Sequence, residues 1–430
     1  MTQTSTLTQP TGYSKMLVVS VVIAILLLAI NMRTPLIGFG TVAKFIQHDL
    51  SLSTKVIGLL GTIPVMAFAI SSFVAPMISR KLGLENTLVI ATLLLALGIF
   101  GRSWQDELSF LLVGTIVLSV AISLGNVLVP AVIKKYTPSK ISFITGTYSL
   151  FLSMFAGLAA GVMPMLVAWQ NWQFALGVWG WVSVAALLAW LWVLHLFIRH
   201  NLANAKANTA NVTDGSTTQG TINTDTLNAD LAYEQPRPRR SVWGMPMAWS
   251  ISIYMGLQSL LYYTFASFLP SLLMDQGLSQ ASASQMGMIF QMMAFPSIIL
   301  LSKWVAAGWN LRVLAIAAAL GNLIGVLGFG FLSMKLAWLW AISSGFGCGV
   351  IFTLCIMLFT IKARDSQQTA ELSGMAQTIG YGIAVLGPIV TGWLEDMTHG
   401  WTIPMTVLII LMIINLGFAW LATQDKPIDA

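Results

Sequence analysis

Twelve windows of about 20 apolar residues, each long enough to cross a bilayer as a helix, leave this chain few ways to fold. They fall at 16–39, 55–78, 86–101, 108–133, 143–167, 173–198, 247–272, 283–304, 312–333, 337–361, 372–394 and 402–422. A backbone in lipid must satisfy its own polar groups, so such runs become helices. The expectation is an all-α integral membrane protein with twelve transmembrane helices. Only 8% of the 430 residues are charged, against roughly 25% in soluble domains, which leaves little material for a soluble domain. The first residues, MTQTSTLTQPTGYSK, are polar, and the run after them is too long for a cleavable signal. Cys348 and Cys355 share one expected helix, about 10 Å apart along its axis. That is too far for a disulfide, so they read as packing residues. No metal or redox motif accompanies them, and no cofactor is expected.

The longest polar stretch separates the sixth and seventh windows. Its ANTANVTDGSTTQGTINTDTLNAD is nearly free of large apolar residues and reads as a disordered linker. This gives an N-terminal six-helix bundle at 1–198, a linker at 199–246 and a C-terminal six-helix bundle at 247–430. With the N-terminus inside, sixteen of the 21 Lys and Arg fall on the linker's side, and four (Lys44, Lys55, Arg102, Lys335) fall on the other, leaving Arg33. The positive-inside rule then makes both termini and the linker cytoplasmic. The net charge of +6 is spread over short loops as topology requires, so no nucleic-acid partner is expected.

The two halves repeat. Lys134 ends the fourth helix, and Gly146 opens the fifth twelve residues on; Lys362 and Gly374 stand likewise at the tenth and eleventh. Leu52-Ser53 before the second helix matches Leu278-Ser279 before the eighth. A six-plus-six repeat about a pseudo-twofold axis with a central linker resembles the major facilitator superfamily, whose substrate sites lie between the halves near mid-membrane. Within it, AINMRTPLIGFG, LSLSTKVIGLLGTIPVMAF, APMISRKLGLE, GLQSLLYYTFASFLPSLL and ELSGMAQTIGYGIAVLGPIVTGWLED resemble the cyanate permease and 2-nitroimidazole exporter family. The resemblance touches both halves and implies transport of a small anion or small polar aromatic. The superfamily pattern G-x-x-x-D-R-x-G-x-R, aligned on Gly83, meets Pro76, Arg80, Lys81 and Glu85 here. A cation thus replaces the usual aspartate, and Arg80, Lys81 and Gly83 become candidate gating residues.

The candidate substrate site starts from Arg33, in ILLLAINMRTPLIGFG at 25–40. A guanidinium keeps its charge in a protein, which is costly in a bilayer. All 15 carboxylates fall to the loops, with Glu371 nearest at the mouth of the eleventh helix. Arg33 therefore has no fixed counter-ion at its depth and suits an anionic or strongly polar ligand. The alternative is that it snorkels, or bonds carbonyls where Pro35 breaks the helix. Asn31 lies beside it. The repeat offset sets Arg33 over Ser259, next to Gln258, and Gln258 shares a helix face with Tyr262. Tyr263 is about 100° away, so either tyrosine could face inward. Gln377 with Tyr381, and Asn126 before Pro130, complete the set; each is equally good as helix-packing glue. Gly387-Pro388 reads as a kink that helps a gate bend. His195 and His200 could titrate near the cytoplasm.

These residues favour a monomeric secondary transporter that works by alternating access on a small-molecule substrate, with the lipid bilayer and a coupling proton as further candidate partners. Proton-coupled multidrug efflux is the rival, but it calls for an embedded carboxylate. A receptor would need a soluble domain. An enzyme would need a clustered Ser/His or His/Asp/Glu set on some span, and a nucleotide-driven pump would need a GxxxxGK[ST] loop.

Overall fold

The computed structural model describes residues 13–213, 241–426 and 428. Every apolar window is helical. The spans, in order, are Lys15–Asp49, Thr54–Leu82, Leu84–Arg102, Leu108–Tyr136, Ile141–Trp169, Trp172–Gly177 continued by Trp179–Thr213, Pro246–Asp275, Gln280–Met292 continued by Ala294–Ala306, Leu311–Phe331, Ala337–Lys362, Ser366–Thr398 and Thr402–Ala422. Several outrun their windows. The first continues ten residues past 39 because Val42 and Ile46 still find buried partners. The eleventh starts at Ser366 because Asp365 caps it, its carboxylate accepting from the Gln368 N–H at 2.8 Å. The sixth runs on through Thr213, into the stretch expected as linker, and 214–240 lie outside the described residues.

Eleven of these helices are long and apolar enough to cross a membrane by composition alone. The seventh falls short. Its Ser250, Ser252, Gln258, Ser259 and Thr264 dilute its hydropathy, but all five are buried in protein. Polar groups that face neighbouring helices rather than lipid carry no insertion penalty of the lipid-exposed kind.

The helices assemble as two groups. The first packs on the fifth and sixth, and the third on the fourth and sixth; the seventh packs on the eleventh and twelfth, and the ninth on the tenth and twelfth. The groups touch where the second and fourth meet the eleventh, and where the fifth meets the second segment of the eighth. Contact is tightest at the ends that carry most of the Lys and Arg. There Arg80 Nη2 donates to Glu371 Oε1 at 2.6 Å, and Lys134 Nζ to the Thr360 carbonyl at 2.8 Å. A Cβ on Gly146 would overlap Ser302 Oγ, and one on Gly374 would lie 2.5 Å from Pro76 Cγ and 2.8 Å from the Ser72 carbonyl oxygen. At the opposite ends of the second and fifth helices, Gly61 and Gly161 would meet nothing within 4 Å. The halves are closed at the basic end and parted at the other.

Candidate functional site

A cavity lies between the halves, in two lobes. The smaller reaches into the C-terminal half; the larger extends along the N-terminal half toward the parted end. Arg33, Tyr262, Tyr263, Phe352 and Tyr381 line both lobes and so form the neck between them.

Arg33 is held there by aromatic faces rather than by a carboxylate. Its guanidinium carbon stands 4.7 Å from the centre of the Phe352 ring and 6.0 Å from that of Tyr262, a geometry in which the ring quadrupole attracts the cation. The salt bridges among the described residues are His48–Asp49, Arg80–Glu371 and Lys135–Glu85, and none involves Arg33. The charge is thus stabilised without being neutralised, which leaves its planar donor fork for a ligand.

Tyr262 and Tyr263 of the seventh helix both face the cavity, with rings edge-to-face at 5.4 Å and 86°. The Tyr262 hydroxyl donates to Gln291 Oε1 at 3.0 Å. Tyr381 packs against Phe68 of the other half at 5.1 Å between ring centres. Gln258 lines the smaller lobe, its Oε1 accepting from Ser259 Oγ at 3.2 Å. Asn126 lines the larger one, its Oδ1 accepting from the Tyr148 hydroxyl at 3.1 Å.

Two expected ligand contacts lie elsewhere. Asn31 is fully buried against the sixth helix, donating from Nδ2 to the Trp179 carbonyl at 3.0 Å and to Ser183 Oγ at 2.7 Å. Two residues before Arg33 is about 200° around the helix, so Asn31 points away from the cavity and bonds its own bundle. Gln377 donates to Ser373 Oγ at 2.9 Å one turn back on its own helix and lines neither lobe.

Of the gating candidates, Arg80, Lys81 and Gly83 stand at or near the closed seam, and Gly387 and Pro388 lie farther along the eleventh helix. Gly83, at φ +86°, makes the reversal between the second and third helices. Arg80 reaches Glu371, and Lys81 is exposed. Glu85, at the far end of the charge-altered motif, accepts from Lys135 Nζ at 2.7 Å and from the Tyr136 hydroxyl at 2.6 Å. Pro388 lies inside an eleventh helix that continues to Thr398, and a Cβ on Gly387 would lie 2.6 Å from Thr264 Oγ1. The glycine is explained by close approach of the seventh helix.

Among the cavity-wall residues that sequence reasoning missed, Phe352, Gln291, Arg102 and Thr115 matter most for the chemistry. Gln291, an amide in the middle of the eighth window, was a visible signal. The sequence analysis sets Arg102 among the loops, but it is 1% exposed, so the cavity wall holds a second cation besides Arg33.

The Major Facilitator Superfamily pattern matches residues 19–388. The chain is 32% identical to an uncharacterized transporter of Bacillus subtilis, over 94% of this chain and 93% of the relative. It is 31% identical to a 2-nitroimidazole transporter of Escherichia coli, over 94% and 95%, and 26% identical to a cyanate transport protein of Escherichia coli, over 92% and 96%. Among solved structures, the proton:xylose symporter XylE superposes with a TM-score of 0.72 at 12% identity, covering 97% of this chain and 98% of that one.

Proposed function

The chain belongs to the major facilitator superfamily and is a secondary transporter of small solutes in a multi-pass membrane fold; from that premise we propose that its cargo is a small anion or small polar aromatic, cyanate- or nitroimidazole-like, held at the neck by Arg33. The observation that carries this reading is a membrane-buried guanidinium in the cavity wall, cradled by Phe352 and Tyr262 and paired with no carboxylate. Tyr263 and Tyr381 supply flat apolar walls with hydroxyl edges, Gln258 an amide, and Asn126 a further polar contact in the larger lobe. Two relatives that match almost the whole chain carry cyanate and 2-nitroimidazole in their names, which fits a site with one cation and several aromatic faces.

The units that rock are the bundles 1–198 and 247–430, joined through 199–246, with the basic end and both termini in the cytoplasm of a bacterial inner membrane. On that orientation the structure is the outward-facing state, and Arg80, Lys81 and Gly83 lie at the closed cytoplasmic seam. A coupling proton fits less well at the neck itself, because a guanidinium does not titrate in the working range.

Uptake of cyanate and of 2-nitroimidazole into proteoliposomes tests the assignment. Arg33→Gln and Arg33→Lys should both abolish transport with the protein still inserted, since lysine keeps the charge but loses the bidentate fork. Gln258→Ala should weaken apparent affinity about tenfold, one hydrogen bond to a charged ligand being worth about 1–2 kcal/mol. Normal transport by Arg33→Gln would reduce Arg33 to a snorkelling residue and end the proposal.

A further inference from the structure

Arg102 ends the third helix, and nothing in the Arg33 reading uses it. Its Nη1 donates to the Pro35 carbonyl oxygen of the first helix at 3.0 Å. That carbonyl is two residues from Arg33, about 3 Å along the axis, so the two cations occupy one layer of the N-terminal half. The fourth helix closes over Arg102 through Gly114, where a Cβ would lie 2.5 Å from the Arg102 Cβ and overlap its backbone. Beside that glycine, Thr115 is 3% exposed. Arg102 and Thr115 both line the larger lobe.

Three atoms here are buried with no partner among the described residues: Arg102 Nε, Arg102 Nη2 and Thr115 Oγ1. Nε and Nη2 are neighbours on one edge of the planar guanidinium. That edge offers two parallel N–H groups, the arrangement that grips a pair of oxygens side-on. A permanent cation with this edge unsatisfied is expensive to keep out of water. If Arg102 only clipped the third helix to the Pro35 carbonyl, a single N–H would do, and neither the fork nor the adjacent hydroxyl would be required.

We propose that Arg102 and Thr115 form a second anion subsite, separate from Arg33, for a small anion with two oxygens on one edge, such as a monocarboxylate or bicarbonate. Two sources share that chemistry: the transported solute at a station in the larger lobe, or an anion of the medium that stays bound there.

The test uses the purified full chain, with sodium formate as probe and sodium chloride at matched ionic strength as control. Thermal unfolding is followed for wild type, Arg33→Gln, Arg102→Lys and Thr115→Val. The expected result is that formate stabilises wild type and Arg33→Gln alike, with the apparent Kd at least tenfold weaker in Arg102→Lys and severalfold weaker in Thr115→Val. Should Arg102→Lys fail to fold, Thr115→Val decides, because valine keeps the shape and removes only the hydroxyl. An unchanged formate Kd in Thr115→Val, or formate stabilisation lost in Arg33→Gln, overturns the subsite. The second result would leave the Arg33 assignment standing, whereas retained stabilisation with transport intact in Arg33→Gln would sink that assignment and leave this one. Uptake of 2-nitroimidazole, whose nitro group presents two oxygens on one edge, then separates the sources. A raised KM in Arg102→Lys marks a station on the path, and an unchanged KM with loss of a formate effect on rate marks a resident anion.

Discussion

Replacing Gly374 by alanine should bias the transporter toward the state in which its basic end is open. In the structure described here the new methyl would sit 2.5 Å from Pro76 Cγ, 3.0 Å from Pro76 Cδ and 2.8 Å from the Ser72 carbonyl oxygen. Two of these belong to a rigid ring and one to backbone, so none can rotate away, and the second and eleventh helices must separate. Overpacking of this kind costs about 1–3 kcal/mol. The cost falls only on the closed arrangement, because the methyl meets these atoms across the seam between the halves. A penalty on one state alone moves the equilibrium by about 5- to 150-fold. The assay is labelling by a membrane-impermeant maleimide of a cysteine at position 61, where nothing approaches within 4 Å, in a background without the two buried native cysteines. Labelling should slow, by at most that factor. Gly146→Ala should act in the same direction and less strongly, since its main obstacle is the Ser302 hydroxyl, the end of a side chain that can turn. Unchanged or faster labelling at 61 in Gly374→Ala would refute the claim that this seam is what closes.

Arg80→Glu or Glu371→Arg alone should loosen the same seam by about 1 kcal/mol, small because Arg80 is 58% exposed, and the double reversal should restore both uptake and labelling at 61; single reversals as active as wild type would remove the pair from gating. For orientation, Asp214→Cys should label only from the inside and Gly400→Cys only from the outside, and labelling of both from one face would overturn the proposed topology.

The fold was legible because lipid imposes one rule on every span, and about 20 apolar residues suffice to state it. Helix ends were less legible, since they are fixed locally: the first helix continues because Val42 and Ile46 have partners, and the eleventh starts early because Asp365 caps it. The cavity wall was legible where a residue was both polar and inside a window, as with Arg33, Gln258, Tyr262, Tyr263, Tyr381 and Asn126. Asn31 met the same criterion, but its 200° offset from Arg33 turns it into the bundle. Gln377 shows the limit of four-residue pairing, which says that two side chains share a face and not which neighbour the face meets. Arg102 was hidden for a different reason. At the end of a window a cation looks like a loop residue, and only the approach of the Pro35 carbonyl and Gly114 reveals that the third helix ends inside the protein.

The repeat noticed in the sequence acquires a physical meaning at the seam, and that meaning bears on mechanism. Gly146 and Gly374 occupy equivalent places, and at each one half packs closely on the other, against the eighth and second helices respectively. The closing surface is therefore symmetric. The chemistry is not. Arg33 and Arg102 belong to the N-terminal half, Arg102 donating to the Pro35 carbonyl two residues from Arg33 on the first helix, while Phe352, Tyr262, Tyr263, Gln258 and Gln291 belong to the C-terminal half. A rocking motion about the symmetric seam would carry the cations as one rigid layer and change their distance to the aromatic and amide wall. Arg33 gains most when Phe352 and Tyr262 are close, because attraction to a ring face fades beyond about 6 Å. On the proposed role of Arg33, an anion bound there would replace part of that attraction. It would thereby lower the cost of drawing the halves apart at one end and closing them at the other, which is what a solute must do to be carried across.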